Sequence, residues 1–154
     1  LYAALIVVLA GFLVLSLSSC AGPEQAEQTT ADSAAEAAEA ASSIAWANDW
    51  QSALERAGAE DKAVLVTFYA DWCIWCKRLD STTLADAQVA TFLRERVVPV
   101  RLDVDNEGRS LSEDFRVDGL PTVLVLNASG EEIGRIPGYL PPDGFLDRVQ
   151  AFLG

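Results

Sequence analysis

The chain has 154 residues, 51% hydrophobic and 22% charged, with 11 basic against 23 acidic residues and a formal net charge of -12. That length allows one ordinary domain plus accessories, and so acidic a chain lacks the Lys and Arg surface that tracks phosphates, which excludes nucleic acid as a main partner. Histidine is absent, which removes imidazole bases, Ser/His/Asp and Cys/His nucleophilic systems and the commonest transition-metal ligand.

The chain opens with LYAALIVVLAGFLVLSL, apolar and uncharged from Leu1 to Leu17. This is short for a spanning helix, which needs about 20 apolar residues, but has the dimensions of a signal-peptide h-region. Methionine is absent, so Leu1 is not an initiator, and the true start is expected upstream with a basic n-region. The next residues, Leu17-Ser18-Ser19-Cys20, resemble the lipobox of bacterial lipoproteins, which implies cleavage before Cys20 and lipidation of its thiol. An uncleaved anchor with an incidental cysteine is the alternative, and both tether the rest outside the cytoplasm, on the periplasmic side or the cell surface. Residues 1–19 therefore read as a lipoprotein signal peptide, and residues 20–43 as the lipidated cysteine and a linker. The linker carries Glu24, Glu27, Asp32, Glu36 and Glu39 with no basic residue, a solvated composition with a reach of about 25 to 30 Å as a coil. Ala21 carries no acidic retention signal, so either membrane of a diderm cell remains open.

Residues 44–154 read as one α/β domain. Ile44, Trp46, Trp50, Leu54 and Ala57 fall near one helical face, with Gly58 as its expected end. Ala63 to Tyr69, β-branched and apolar throughout, predicts a strand buried on both faces. Leu79 to Arg96 is expected to be mostly helical, with Asp86 capping its second half. A second strand at Val97 to Val104 and a short helix at Gly108 to Phe115 follow. Thr122 to Leu126 and Glu132 to Ile136 flank Asn127-Ala128-Ser129-Gly130, which predicts a hairpin. Asp143 to Leu153 closes the chain as an amphipathic helix. This order mixes a parallel crossover with a terminal antiparallel hairpin and predicts a central mixed sheet flanked by helices.

Beyond Cys20 the only cysteines are Cys73 and Cys76, placed where the first strand ends and a helix begins. Residues i and i+3 share a helical face, so their sulfurs can bond with little backbone movement. Cys73 at the helix N-terminus would be the attacking thiolate, and Cys76, one turn in, the resolving thiol. Two other readings compete: half of a zinc site, which has neither a second C-x-x-C nor a histidine to complete it, and a passive structural staple, weak because the closed loop is small. No metal and no cofactor beyond the redox-active disulfide is expected.

The stretch Tyr69-Ala70-Asp71-Trp72-Cys73-Ile74-Trp75-Cys76-Lys77, followed by Gly119-Leu120-Pro121-Thr122, resembles the thioredoxin superfamily over essentially all of Lys62 to Gly154. Within it, this stretch and Thr82 to Leu93 most resemble the C-terminal periplasmic domain of DsbD-type thiol:disulfide interchange proteins. The resemblance implies a thioredoxin-like fold and a cis peptide at Leu120-Pro121, a backbone edge where an extended substrate pairs. Trp72 beside the nucleophile is expected to be a partly exposed recognition residue, and Trp46 and Trp50 to pack in the core.

The departures bear on proton handling. Family members carry a buried Asp where this chain has Thr67, which cannot accept a proton from the resolving thiol. Asp80 matches an acidic residue after the DsbD motif, and Arg101 matches a thioredoxin lysine; both are candidates for that task. The Ile74-Trp75 dipeptide, in a chain without histidine, tilts the expectation toward a reducing potential. The resulting expectation is a monomeric, lipid-anchored extracytoplasmic thiol:disulfide oxidoreductase that reduces disulfide-containing partner proteins and draws electrons from a membrane thiol donor. An oxidase or isomerase, or a binding module of the same fold without catalysis, are the alternatives.

Overall fold

The computed structural model describes residues 43–154; the expected leader, the Cys20 lipid site and most of the linker lie outside the described residues. The described chain centres on β1 (Ala63–Tyr69), whose Val64, Val66 and Phe68 fill one side of a sheet while Leu65 fills the other. Parallel to it runs β2 (Val97–Asp103), from Ala63 opposite Val97 to Tyr69 opposite Asp103. On its other edge β3 (Thr122–Leu126) pairs antiparallel, and β4 (Glu132–Pro137) completes the predicted hairpin. The result is a mixed four-stranded sheet in the order β2-β1-β3-β4, with the parallel pair made by a helical crossover.

Helices cover both faces. α1 (Trp50–Glu60) buries Ala53 and Ala57 against Val98, Val100 and Leu124, and α4 (Arg109–Asp114) brings Leu111 to the same cluster. Against the opposite face lie α3 (Ala87–Arg96), through Val89 and Leu93, and α5 (Pro142–Leu153), through Phe145 and Val149. Each such large apolar side chain, removed from water, contributes about 1.5 to 3 kcal/mol. Gly134 lets α5 lie close on β4, since a Cβ there would run into the Phe152 ring.

Three boundaries differ from the sequence expectation. Ile44 to Ala47 are not helical; the Ala47 amide donates to the Pro99 carbonyl at 2.7 Å and extends the outer edge of β2. α1 instead begins where Asp49 and Ser52 form a reciprocal capping box, and it passes Gly58 to end at Asp61, whose φ is 52°. The two caps settle the bounds, because orphaned terminal amides and carbonyls need partners. Leu79 to Arg96 is broken: α2 (Ile74–Arg78) runs into a π-helical turn at Leu79–Thr83, and α3 restarts where Asp86 accepts from the Gln88 and Val89 amides. Two threonine hydroxyls, one bonded locally and one across the fold, account for the break. Thr82 Oγ1 donates to the Arg78 carbonyl at 2.7 Å, competing with the regular ladder, and Thr83 Oγ1 donates to the Leu140 carbonyl at 2.6 Å, tying the turn to the segment before α5.

Candidate active site

The C-terminal end of β1 delivers Ala70 to Trp72 into a tight turn, closed by the Cys73 amide donating to the Ala70 carbonyl at 3.0 Å. Cys73 is the N-cap of α2, and its sulfur accepts from the Cys76 amide at 3.0 Å. Cys73 and Cys76 are joined by a disulfide with their Cα atoms 5.3 Å apart. Cys73 is the more accessible, 5% exposed against 2% for Cys76, so an incoming partner reaches Cys73 first. With the bond reduced, an amide aimed at Cys73 favours the thiolate over the thiol at that position.

Around the sulfurs lies an apolar collar. Leu120 packs against the cluster of Ala70, Cys73 and Cys76, which brings the loop before β3 beside it, and the Leu120-Pro121 peptide is cis. Trp72, Ile74 and Trp75 are 70%, 75% and 51% exposed, an outward display of large side chains that a folded chain alone has no use for. Trp72 is held in place, since its indole N–H donates to Asp105 Oδ2 at 2.7 Å. On the other flank Trp75, Leu120, Gly138 and Tyr139 line a shallow hollow, with the Trp75 and Tyr139 ring centroids 6.0 Å apart.

The three candidates for proton handling occupy one face of the sheet. Thr67 and Arg101 are directly paired across β1 and β2, and Arg101 Nη2 bonds Asp80 Oδ2 at 2.9 Å. Arg101 also lies over the Tyr69 ring, 4.3 Å from its centroid, and over Trp46 at 5.6 Å. Burial pushes the Tyr69 hydroxyl up from its ordinary value, with Arg101 opposing and Asp103, Glu107 and Asp71 reinforcing. Thr67 Oγ1 and Arg101 Nε are buried without a hydrogen-bond partner among the described residues. Trp46 and Trp50 are both packing residues but on opposite faces of the sheet rather than one helical face, Trp46 with the Leu65 cluster and Trp50 with the Val64 cluster, edge-on to Phe115 at 6.1 Å.

Sequence reasoning did not single out Asp105, Arg78 or Tyr139. Asp105 follows β2 by two residues, and only the fold brings it to Trp72. Tyr139 lies two residues beyond β4 and reaches back across the chain to share a 3.2 Å hydrogen bond with Thr82, which lowers its phenol from the ordinary value. A glycine and an aromatic after the last strand, Gly138-Tyr139, is a signal without a spacing rule that could have marked it.

A C-x-x-C disulfide at a strand-to-helix turn, beside a cis-proline loop on this mixed sheet, defines a thioredoxin-fold domain. The comparisons agree. The sequence model of the thioredoxin-like domain matches residues 50–153, and the chain belongs to that family. It is 38% identical over 99 residues to the thiol:disulfide interchange protein DsbD of Yersinia enterocolitica, covering 61% of this chain and 17% of that one. Among solved structures, a thioredoxin from Thermus thermophilus superposes with a TM-score of 0.65 at 31% identity, covering 71% of this chain and 86% of that one. The oxidised C-terminal domain of DsbD from Neisseria meningitidis superposes with a TM-score of 0.55 at 28% identity, covering 66% and 90%. The chain spans about a fifth or less of the length of the curated relatives it matches. Among the described residues no helix is long and apolar enough to cross a membrane.

Proposed function

We propose that this chain is an extracytoplasmic thiol:disulfide oxidoreductase that works as a reductase of partner proteins. The observation that carries the reading is the Cys73–Cys76 disulfide, capped by an amide on its more accessible sulfur and ringed by exposed apolar side chains. A structural staple needs neither the collar nor the accessible sulfur. The likeness to DsbD proteins, named for thiol:disulfide interchange, supports the same chemistry.

In the reduced protein the Cys73 thiolate attacks one sulfur of a partner disulfide, forming a mixed disulfide and expelling the first partner thiolate. Cys76 loses its proton and attacks Cys73 Sγ, which closes the Cys73–Cys76 bond and releases the second partner thiolate. Two electrons pass to the partner, and two protons come from the protein thiols by way of solvent. A dithiol donor at the membrane then reduces Cys73–Cys76 by the same exchange in reverse. Leu120 and Pro121 offer the backbone edge and Trp72 the aromatic face for an extended partner segment. Asp80, paired with Arg101, is the carboxylate that serves proton removal from Cys76, with Thr67 standing where a buried acid would be. No metal or cofactor takes part. A lipid on Cys20 holds the domain at the outer side of a membrane, where its donor resides, and the domain works as a monomer.

The test is a pair of single variants of the full chain. Cys73→Ser abolishes dithiol-dependent reduction of a protein disulfide, whereas Cys76→Ser accumulates mixed disulfides with partners that run as thiol-sensitive higher bands. Full turnover in both variants would refute the mechanism.

A further inference from the structure

Beside the sulfurs, on the Trp75 side, an arginine is fixed in an unusual setting. Arg78 Cζ lies 5.5 Å from the Trp75 ring centroid and 5.1 Å from that of Tyr139, and the two rings are 6.0 Å apart. The guanidinium is thus held against two of the side chains, Trp75 and Tyr139, that line a hollow with Leu120 and Gly138. It makes no ion pair with a carboxylate among the described residues. Lys77 adjoins it, also exposed. On the opposite flank, beside Trp72, stand the exposed acids Asp71 and Asp105. The exposed surface on the two sides of Cys73 is therefore charged asymmetrically, acidic beside Trp72 and basic beside Trp75, in a chain whose acids outnumber its bases 23 to 11.

We propose that Arg78 is a specificity residue that reads a carboxylate on the partner segment flanking the disulfide to be reduced. This rests on the reductase reading above and adds the kind of segment chosen: an extended stretch with an apolar side chain for the Trp75–Tyr139 hollow and an acidic one for Arg78. Two rings restrain the guanidinium before a partner arrives, so little freedom is lost on forming a fork to a carboxylate. Aromatic contact alone suits any apolar segment; the cation beside it, with no carboxylate partner among the described residues, makes the choice by charge. The same asymmetry orients the segment, since reversal would bring its carboxylate against Asp71 and Asp105.

The test uses the full chain, reduced, and short disulfide-linked peptides in which Glu, Gln or Lys is scanned through the positions on both sides of the cysteine. The readout is the ratio of kcat/KM for the Glu and Lys peptides, so that any general loss in a variant cancels. The wild type is expected to prefer Glu by about 2- to 5-fold on one side of the cysteine only, as for an exposed pair. In Arg78→Gln the ratio falls to about 1, in Arg78→Glu it inverts, and in 1 M salt the wild-type preference fades. Reduction with no charge preference at any position would overturn the assignment, as would a preference retained in Arg78→Glu and lost in Lys77→Gln. Failure to reduce any peptide, the Gln series included, would instead overturn the reductase reading on which it stands.

Discussion

Thr67→Val isolates one group whose energetic role can be worked out from its surroundings. Thr67 is 1% exposed in the middle of β1, flanked by Arg101 on β2 and Val123 on β3. Its Oγ1 has no hydrogen-bond partner among the described residues. A hydroxyl buried in that state costs about 1 to 3 kcal/mol relative to water. Valine keeps the branched shape the strand prefers and exchanges the hydroxyl for a methyl. The variant is therefore expected to gain about 1 to 2 kcal/mol, a rise in melting temperature of roughly 4 to 10 °C for a domain of this size. Urea unfolding of the oxidised protein, followed by tryptophan fluorescence, gives the difference directly from the shift in midpoint at unchanged slope. A loss of 1 kcal/mol or more would refute the reasoning, because it would mean that the hydroxyl is paired in the native protein. The same variant separates stability from chemistry: if Asp80 rather than Thr67 serves Cys76, the pH profile of mixed-disulfide resolution stays where it is in the wild type.

Three further outcomes follow from contacts described above. Asp105→Asn weakens the charge-assisted bond to the Trp72 indole, and is expected to raise KM for protein disulfides about 2- to 10-fold while leaving exchange with a small dithiol near the wild-type rate; equal losses with both would contradict a role in recognition. Gly134→Ala drives a Cβ into Phe152 and should cost about 1 to 3 kcal/mol by forcing α5 off β4, measured by the same urea unfolding. Glu132 is held below its ordinary value of 4.5 chiefly by its hydrogen bond to Arg135. A depressed carboxylate stabilises the fold above its unfolded value and ceases to as pH falls through the folded one. The stability difference between wild type and Glu132→Gln should therefore be small and constant near pH 7, begin to shrink as pH falls through 4.5 and disappear only below the lowered folded value; a difference that grows on acidification would contradict the assignment.

Much of the fold is legible because its elements are self-contained. The run Ala63 to Tyr69 is too apolar to sit anywhere but the middle of a sheet, and Asn127 to Gly130 between two short strands leaves little choice but a hairpin. What escaped the sequence depends on partners distant in the chain. Ile44 to Ala47 keep helical spacing, yet the free edge of β2 at Pro99 and Val100 takes their backbone instead. The break at Leu79 to Thr83 follows from Thr83 bonding Leu140, a contact across 57 residues. At the site, Cys73 and Cys76 announce themselves by spacing, while Asp105 reaches Trp72, and Tyr139 reaches Trp75 and Arg78, only through the sheet order β2-β1-β3-β4. Arg101 and Asp80 stand 21 residues apart in sequence, so their 2.9 Å pairing and the stacking of Arg101 on Tyr69 needed the fold.

The equilibrium reduction potential of Cys73–Cys76 tests the central claim most directly. The protein is titrated in thiol buffers and read through the fluorescence of Trp72, just before Cys73, and Trp75, between the two cysteines. The reductase account predicts about -230 mV or lower, the range of dithiols that deliver electrons. A value near -120 to -180 mV would reverse the direction of flow, and a pair that does not exchange at all would leave the fold as a binding module.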